Sequence, residues 1–235
     1  RQMCIRDRYY MKSILIFCEF RRKFQKRLTW SELHVIQYGC NRKATCCPSY
    51  SGRRILKRRI TMYLEKINSP SDIKKLSVDE MKKLTQEMRD ALIFKLSRHG
   101  GHCGPNLGFA EATVALHYVF DSPVDKIVFD VSHQTYCHKM LTGRKDGFLY
   151  EEHFDDISGY SNPAESEHDF FVIGHTSTSV SLALGLAKAR DLKHESGNVI
   201  AVIGDGSLSG GEALEAIDYA GEFDGNLIII INLSL

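Results

Sequence analysis

The chain has 235 residues, enough for one large domain or for a domain with an appendage, and its net charge of +2 is the average of two unlike parts. Residues 1–61 carry 16 Lys/Arg against three acids, a net of +13, and hold five of the seven Cys and the only Trp; residues 62–235 carry 15 against 26, a net of −11. No apolar run is long enough to span a bilayer and no signal-peptide core is visible, so a cytoplasmic protein with reduced cysteines and no membrane partner is expected.

Residues 1–61 show no sustained helical or alternating period, and Cys40, Cys46 and Cys47 lack the paired spacing of a zinc module. A basic nucleic-acid-binding arm is one reading of this segment. The favoured reading is a non-native or disordered basic segment. Composition changes at Met62, as at a start codon. Residues 3–8, MCIRDR, can also be encoded by DNA whose reverse complement opens with codons for Leu-Ser-Leu, the residues at 233–235. That inverted repeat resembles a transposon end used to prepare sequencing libraries. Residues 1–61 and 233–235 are therefore expected to be foreign, with the native frame continuing past Asn232.

From Met62 onward, Ser77 with Glu80 makes a capping box, and Leu84, Met88, Leu92 and Leu96 recur on one face of the helix that follows. Gly100-Gly101 ends it. A second helix is expected over 110–119 and a short buried strand over 126–132. Residues 169–192 read as a strand, a polar turn and a helix with a Val180, Ala183, Leu184, Ala187 stripe. NVIAVIG (198–204) and NLIIIIN (226–232) are near-continuous apolar runs, as in strands covered on both faces. Strands alternating with helices predict an α/β fold, a doubly wound, mostly parallel sheet, here truncated. The LIIII strand with no helix after it is an aggregation hazard, so residues 62–235 alone are expected to be poorly soluble.

Ligands of open α/β sheets bind beyond the carboxyl ends of the strands. Four polar constellations fall there or nearby: GGHCGPNLG (100–108), DVSHQTYCHK (130–139), GHTSTS (174–179) and GDGSLSGG (204–211). In the last, Gly204 and Gly206 allow a tight turn and close approach of a ligand. Asp205 offers a hard oxygen for Mg²⁺ carried by a diphosphate, and the N–H groups of Gly206 and Ser207 can receive phosphate oxygens. The loop fits neither the Walker pattern nor G-x-G-x-x-G, and a plain turn with a solvated Asp is the alternative. His102, His133, His138 and His175 sit in Gly/Ser/Thr-rich turns, which suits proton handling near neutral pH. A zinc site of His133, Cys137 and His138 is disfavoured, because Cys137 and His138 are adjacent and no second pair has useful spacing.

GGHCGPNLG, DVSHQTYCHKMLTGR, GHTSTSVS and GDGSLSGGEALEAIDYAGEFDGNLIIIIN, in this order and spacing, resemble the blocks of the 1-deoxy-D-xylulose-5-phosphate synthases, in the transketolase superfamily. The likeness covers residues 62–232, about three quarters of the chain. It implies thiamine diphosphate and Mg²⁺ as cofactors, pyruvate and glyceraldehyde 3-phosphate as substrates, and a homodimer at full length. It implies that Asp205 binds Mg²⁺ and that Gly206 and Ser207 touch the diphosphate. Gly174, His175 and Thr176 would line the cofactor, His133 would sit against it, and His102 would act in proton transfer. The family's motif runs from GDG to Asn-Asp-Asn; Asn232 matches the first Asn, whereas Leu233 and Ser234 replace the Asp and a second Mg²⁺ ligand. The family's later domains, with the Glu that activates the cofactor, are missing, so the chain alone is expected to be inactive. Pro105-Asn106 stands where small residues are expected. The alternatives are another transketolase-like carboligase, against which DVSHQTYCHKMLTGR speaks, or a non-catalytic remnant with a basic nucleic-acid-binding arm.

Overall fold

The computed structural model describes residues 12–18, 35–37 and 63–234, the first two stretches and Ser234 by their backbone only. In chain order the elements are β1 (Lys12–Cys18), β2 (Val35–Gln37), α1 (Pro70–Ile73), α2 (Val78–His99), α3 (Gly104–Val119), β3 (Lys126–Phe129), α4 (Tyr136–Lys139), α5 (Asp146–Leu149), α6 (Ser179–Leu192), β4 (Val199–Gly204), α7 (Asp205–Leu208), α8 (Gly211–Glu222) and β5 (Ile228–Ser234). Beyond the two short strands, the expectations for residues 1–61 and for Leu235 lie outside the described residues.

Local chemistry sets the helix ends. The Ser77 hydroxyl accepts from the Glu80 N–H at 3.4 Å and the Glu80 carboxylate accepts from the Ser77 N–H at 2.8 Å, so two orphan donors of α2 are satisfied. Leu84, Met88 and Leu92 on the expected face are fully buried, each contributing about 1.5–3 kcal/mol. Gly100 and Gly101 end the helix with φ of +84° and +128°, and a Cβ on Gly101 would come within 2.8 Å of both Leu96 and the Tyr136 hydroxyl. α3 starts at Gly104, earlier than the expected Ala110, because Pro105 in its first turn has no N–H to forfeit.

The parallel core of the sheet is β3-β4-β5, with Ile127 opposite Ile200 and Ile200 opposite Ile228. The full order is β2-β1-β5-β4-β3, and β1 runs antiparallel to β5 from Lys12 opposite Ser234 to Cys18 opposite Ile228. The LIIII strand is thus an interior strand, flanked by β4 and β1. Alternation along the strands covers both faces. Ile200, Val202, Ile228 and Ile230 meet Phe109 and Leu116 of α3. Ala201, Ile203, Ile229 and Ile231 meet the small residues of α6 and α8, among them Val180, Ala183, Ala213 and Ala216. The expected α/β, doubly wound architecture is present. A separate apolar layer packs α2 against α3, α4 and α5.

The strand expected at the start of 169–192 does not form: residues 154–178 contain neither helix nor strand. Side chains hold this segment in place of a ladder. The Ser132 hydroxyl donates to the Ile173 carbonyl at 2.7 Å and accepts from the Ser161 N–H at 2.9 Å, while the Asp169 carboxylate accepts from the Asn162 N–H. β3 likewise stops at Phe129 rather than Ser132, because Val131 and Ser132 have φ of +57° and +66°.

Candidate functional site

The carboxyl ends of β3, β4 and β5 present Asp130, the Gly204–Ser207 turn and Asn232 along one edge, with Gly204 directly opposite Asn232 in the register. Three side chains then tie the four polar constellations to one another. The buried Asp130 carboxylate accepts the N–H of Ser177 at 3.0 Å and of Ser179 at 2.9 Å, fixing the GHTSTS loop to the end of β3. Ser177, at φ +72°, donates its hydroxyl to the Ser207 carbonyl at 2.6 Å and so links GHTSTS to GDGSLSGG. Gly210 leaves the space this link occupies, since a Cβ there would lie 2.0 Å from the Ser177 Oγ. Asn106 ties the remaining block, GGHCGPNLG, to DVSHQTYCHK: its amide donates to the carbonyls of His102 and His133, both at 2.7 Å, and its Oδ1 accepts the Tyr136 N–H at 2.9 Å.

Three non-glycine residues at positive φ, Val131, Ser132 and Ser177, flank Asp130 and its partners. A β-branched residue there is a strained outlier, and such strain persists only where surrounding bonds over-determine it. Here those bonds are the ones made by Asp130 and Ser132.

The candidate residues form two groups. Gly174, His175, Thr176, Asp205 and Gly206 are exposed. A Cβ on Gly174, Gly204 or Gly206 would meet nothing within 4 Å, and none of the three has a positive φ. Glycine at these positions is therefore not required by turn geometry, and the space beside each is open. His175 Nδ1 lies 3.2 Å from the Thr176 carbonyl, within its own loop. Asn232 Oδ1 is buried without a hydrogen-bond partner.

His102 and His133 form the other group, their rings edge to face with centroids 5.5 Å apart. Both ring nitrogens of His102 face tyrosine hydroxyls, Nδ1 that of Tyr136 at 3.3 Å and Nε2 that of Tyr160 at 3.4 Å. Burial, and then the nearby His102, lower the pKa of His133, whose Nδ1 is buried without a hydrogen-bond partner. Burial raises the pKa of the Tyr136 hydroxyl.

His138 belongs to neither group. It is buried on α4, with Nδ1 2.9 Å from His117 Nε2 and Nε2 3.1 Å from Asp169 Oδ1. Arg144 grips the Asp169 carboxylate with two N–H bonds of 2.7 and 2.9 Å, and Lys139 bonds Glu165 at 2.5 Å. Burial alone would raise Asp169, yet the hydrogen bonds from His138 and Arg144 hold its carboxyl well below the usual range. Burial lowers both histidines. With both rings neutral, His138 donates to Asp169 and accepts from His117. Cys137 is an inert thiol, pushed up to about 12 by burial. Among the described residues no group of three His, Cys, Asp or Glu is placed to hold a metal ion.

Sequence reasoning singled out the eight site residues but missed Asn106, Asp130 and Ser177 as ties. Pro105-Asn106 reads as a departure in sequence, whereas Asn106 is fully buried and bonds three backbone groups in two blocks. The short stretch between the apolar KIVF and the histidine was the available signal for Asp130.

Residues 64–234 match the family model described as 1-deoxy-D-xylulose-5-phosphate synthase. Among curated relatives of that name, the protein of Dictyoglomus thermophilum is 54% identical over 171 residues, 73% of this chain and 28% of the relative. That of Caldanaerobacter subterraneus is 54% identical over 169 residues, 72% of this chain and 27% of the relative. That of Heliobacterium modesticaldum is 50% identical over 173 residues, 74% of this chain and 27% of the relative. The chain thus spans about a quarter of the length of these relatives.

Proposed function

Since the chain belongs to the 1-deoxy-D-xylulose-5-phosphate synthase family, we propose that it is the part of a thiamine-diphosphate-dependent transferase that receives the cofactor's diphosphate and Mg²⁺. The whole enzyme, a cytoplasmic homodimer in this reading, condenses pyruvate with glyceraldehyde 3-phosphate, with loss of CO₂, to 1-deoxy-D-xylulose 5-phosphate. The observation that carries the reading is the convergence of the Asp130-held GHTSTS loop, the GDG turn and Asn232 at the carboxyl ends of three parallel strands. The relatives do not favour another carboligase.

The residues present fit the cofactor. Asp205 offers a carboxylate oxygen, a hard donor suited to Mg²⁺, while Ser234 stands where the resemblance puts the second ligand and Asn232, its Oδ1 buried without a partner, holds the place of the motif's first Asn. The open ground beside Gly174, Gly204 and Gly206 would be filled by a Cβ at any of them, and it gives a diphosphate close access to the backbone. Leu233 packs into the apolar core beside Ile231 and supplies no ligand. Thiamine diphosphate, when bound, supplies the electron sink for decarboxylation and carbon–carbon bond formation.

The chain's own residues have the following roles. Gly206 and Ser207 would hold the diphosphate with their N–H groups, and Gly174, His175 and Thr176 would line the cofactor. His133, its pKa lowered by burial, would pack against it. His102 moves a proton at Nε2 to and from the reacting carbonyl oxygen, with the Tyr160 hydroxyl at that nitrogen and the Tyr136 hydroxyl at Nδ1 fixing the ring.

Residues 64–232 would be placed in the D. thermophilum synthase in place of its matching segment, and formation of 1-deoxy-D-xylulose 5-phosphate measured. The chimera is expected to be active and to lose activity on Asp205→Asn. A folded chimera that forms no product, or one indifferent to Asp205→Asn, would overturn the reading.

A further inference from the structure

Asn106 sits in the first turn of α3, at a helix position where Asn is a poorer choice than Ala or Glu. Its side chain is fully buried. It uses three of its four hydrogen-bonding positions, on partners 4, 27 and 30 residues away in sequence. Two of those partners are the carbonyls of the two candidate catalytic histidines. The third is the N–H of Tyr136, whose hydroxyl returns to His102, 3.3 Å from both its ring Nδ1 and its N–H. The result is a closed ring: Asn106 to the His102 carbonyl, His102 to the Tyr136 hydroxyl, and the Tyr136 N–H back to Asn106. The His133 carbonyl hangs from the same amide. These bonds run between backbone segments with no other regular pairing, because Gly100–Cys103 and Ser132–Thr135 are both irregular. The Cys137 thiol, 3.9 Å from the Asn106 carbonyl, seals the far side of the ring.

We infer that Asn106 is the positioning residue of the histidine pair: its carboxamide sets the distance and angle between the His102 and His133 rings. It touches neither substrate nor cofactor and acts only through the backbone of the two histidines. The inference rests on the proposed function for its catalytic meaning, while the geometry it asserts can be tested without cofactor or turnover. Asp at this position keeps the shape and suits the positive end of a helix, but it replaces the amide donor with an oxygen facing two carbonyl oxygens.

The test compares the full chain with its Asn106→Asp, Asn106→Ala and Thr113→Val variants. Thr113→Val is the control for lost stability: Thr113 is equally buried on α3, donates to the Phe109 carbonyl at 2.8 Å, and bonds neither histidine. The readouts are the histidine ring-proton resonances against pH, the Overhauser contact between the His102 and His133 rings, and the melting temperature. Asn106→Asp is expected to abolish the ring contact and move the His133 titration up towards that of an exposed histidine. Thr113→Val is expected to lower the melting temperature with both signatures unchanged. If Asn106→Ala does not fold, Asn106→Asp alone decides. An intact ring contact and unmoved His133 titration in Asn106→Asp would overturn the inference. So would a Thr113→Val variant that shifts them equally, since the effect would then be one of general loosening. A chimera inactive with Asn106 in place would count against the synthase reading and leave this test standing.

Discussion

The two halves of the candidate site are built on opposite plans. Around His102 and His133 the protein satisfies most of its own polar groups: tyrosine hydroxyls face both nitrogens of one ring, and Asn106 bonds both histidine carbonyls. At the GDG turn the protein leaves space instead, with exposed backbone and three glycines whose missing side chains would meet nothing. Under the proposed function the difference follows from what each half would handle. A proton-transfer group works only if its ring is held within a fraction of an ångström, which demands internal bonds. A diphosphate arrives with its own charge and needs open donors and room. Both halves are kept rigid from beneath by residues outside the site: Asp130 under the open half, and the Asp169–Arg144–His138 cluster under the segment that brings Tyr160 to His102.

The largest break in this comparison should come from the buried cluster. Asp169→Ala takes from Arg144 its buried counter-charge and from the His138 N–H its acceptor, and removal of one partner of a buried ion pair costs about 3–5 kcal/mol. Urea unfolding is the measurement; a loss below about 1 kcal/mol would show that the cluster is dispensable. Asp130→Ala should follow, with a loss of about 1.5–3 kcal/mol from the two charge-assisted bonds to Ser177 and Ser179. It should also weaken binding of magnesium pyrophosphate, read by calorimetry, because the GHTSTS loop is no longer fixed to the sheet. Unchanged pyrophosphate binding would uncouple the loop from the open half.

A smaller, graded effect is expected with pH. Burial lowers the pKa of His117 and His138, so the folded chain binds fewer protons than the unfolded chain, whose histidines titrate near ~6.5. Their contribution is fully present above about pH 6.5 and is lost as pH falls below it, by up to ~1.4 kcal/mol per pH unit for each histidine still neutral in the fold. Asp169, held low, acts further down: its contribution is present above about pH 4 and is lost as pH falls beneath that. Unfolding free energies between pH 7.5 and 5 should therefore slope downward on acidification, and His117→Gln should make the slope shallower.

The smallest stability effect belongs to the open half. Gly206→Ala should change stability by no more than about 0.5 kcal/mol, because its Cβ enters empty space at an ordinary φ. It should nevertheless impair magnesium pyrophosphate binding. Gly101→Ala sharpens the contrast: at φ +128° and 2.8 Å from Leu96 and Tyr136, it should destabilise the fold and disturb His102. Equal thermal shifts for the two glycine variants would erase the distinction between the halves.

What the sequence determined by itself was local or periodic. The Ser77–Glu80 capping box and the Leu84, Met88, Leu92 face fix α2, because their partners lie within a turn or two along the chain. The apolar runs fix β4 and β5 as strands with two covered faces, and the glycine-rich blocks mark where those strands end. Tertiary structure decided what depends on distant segments meeting. A strand over 169–173 was legible as an apolar run but did not form, since His138, Arg144 and Ser132 claim its polar groups from 25 to 41 residues away. His138, read as a turn histidine, became a core residue because His117 of α3 lies against it. The ties made by Asn106, Asp130 and Ser177 were not legible, for the partners that join one block to another are 27 to 49 positions distant, apart from the His102 carbonyl four residues from Asn106. A hydrogen bond needs its two atoms within about 3 Å, and only the folded chain brings such segments that close.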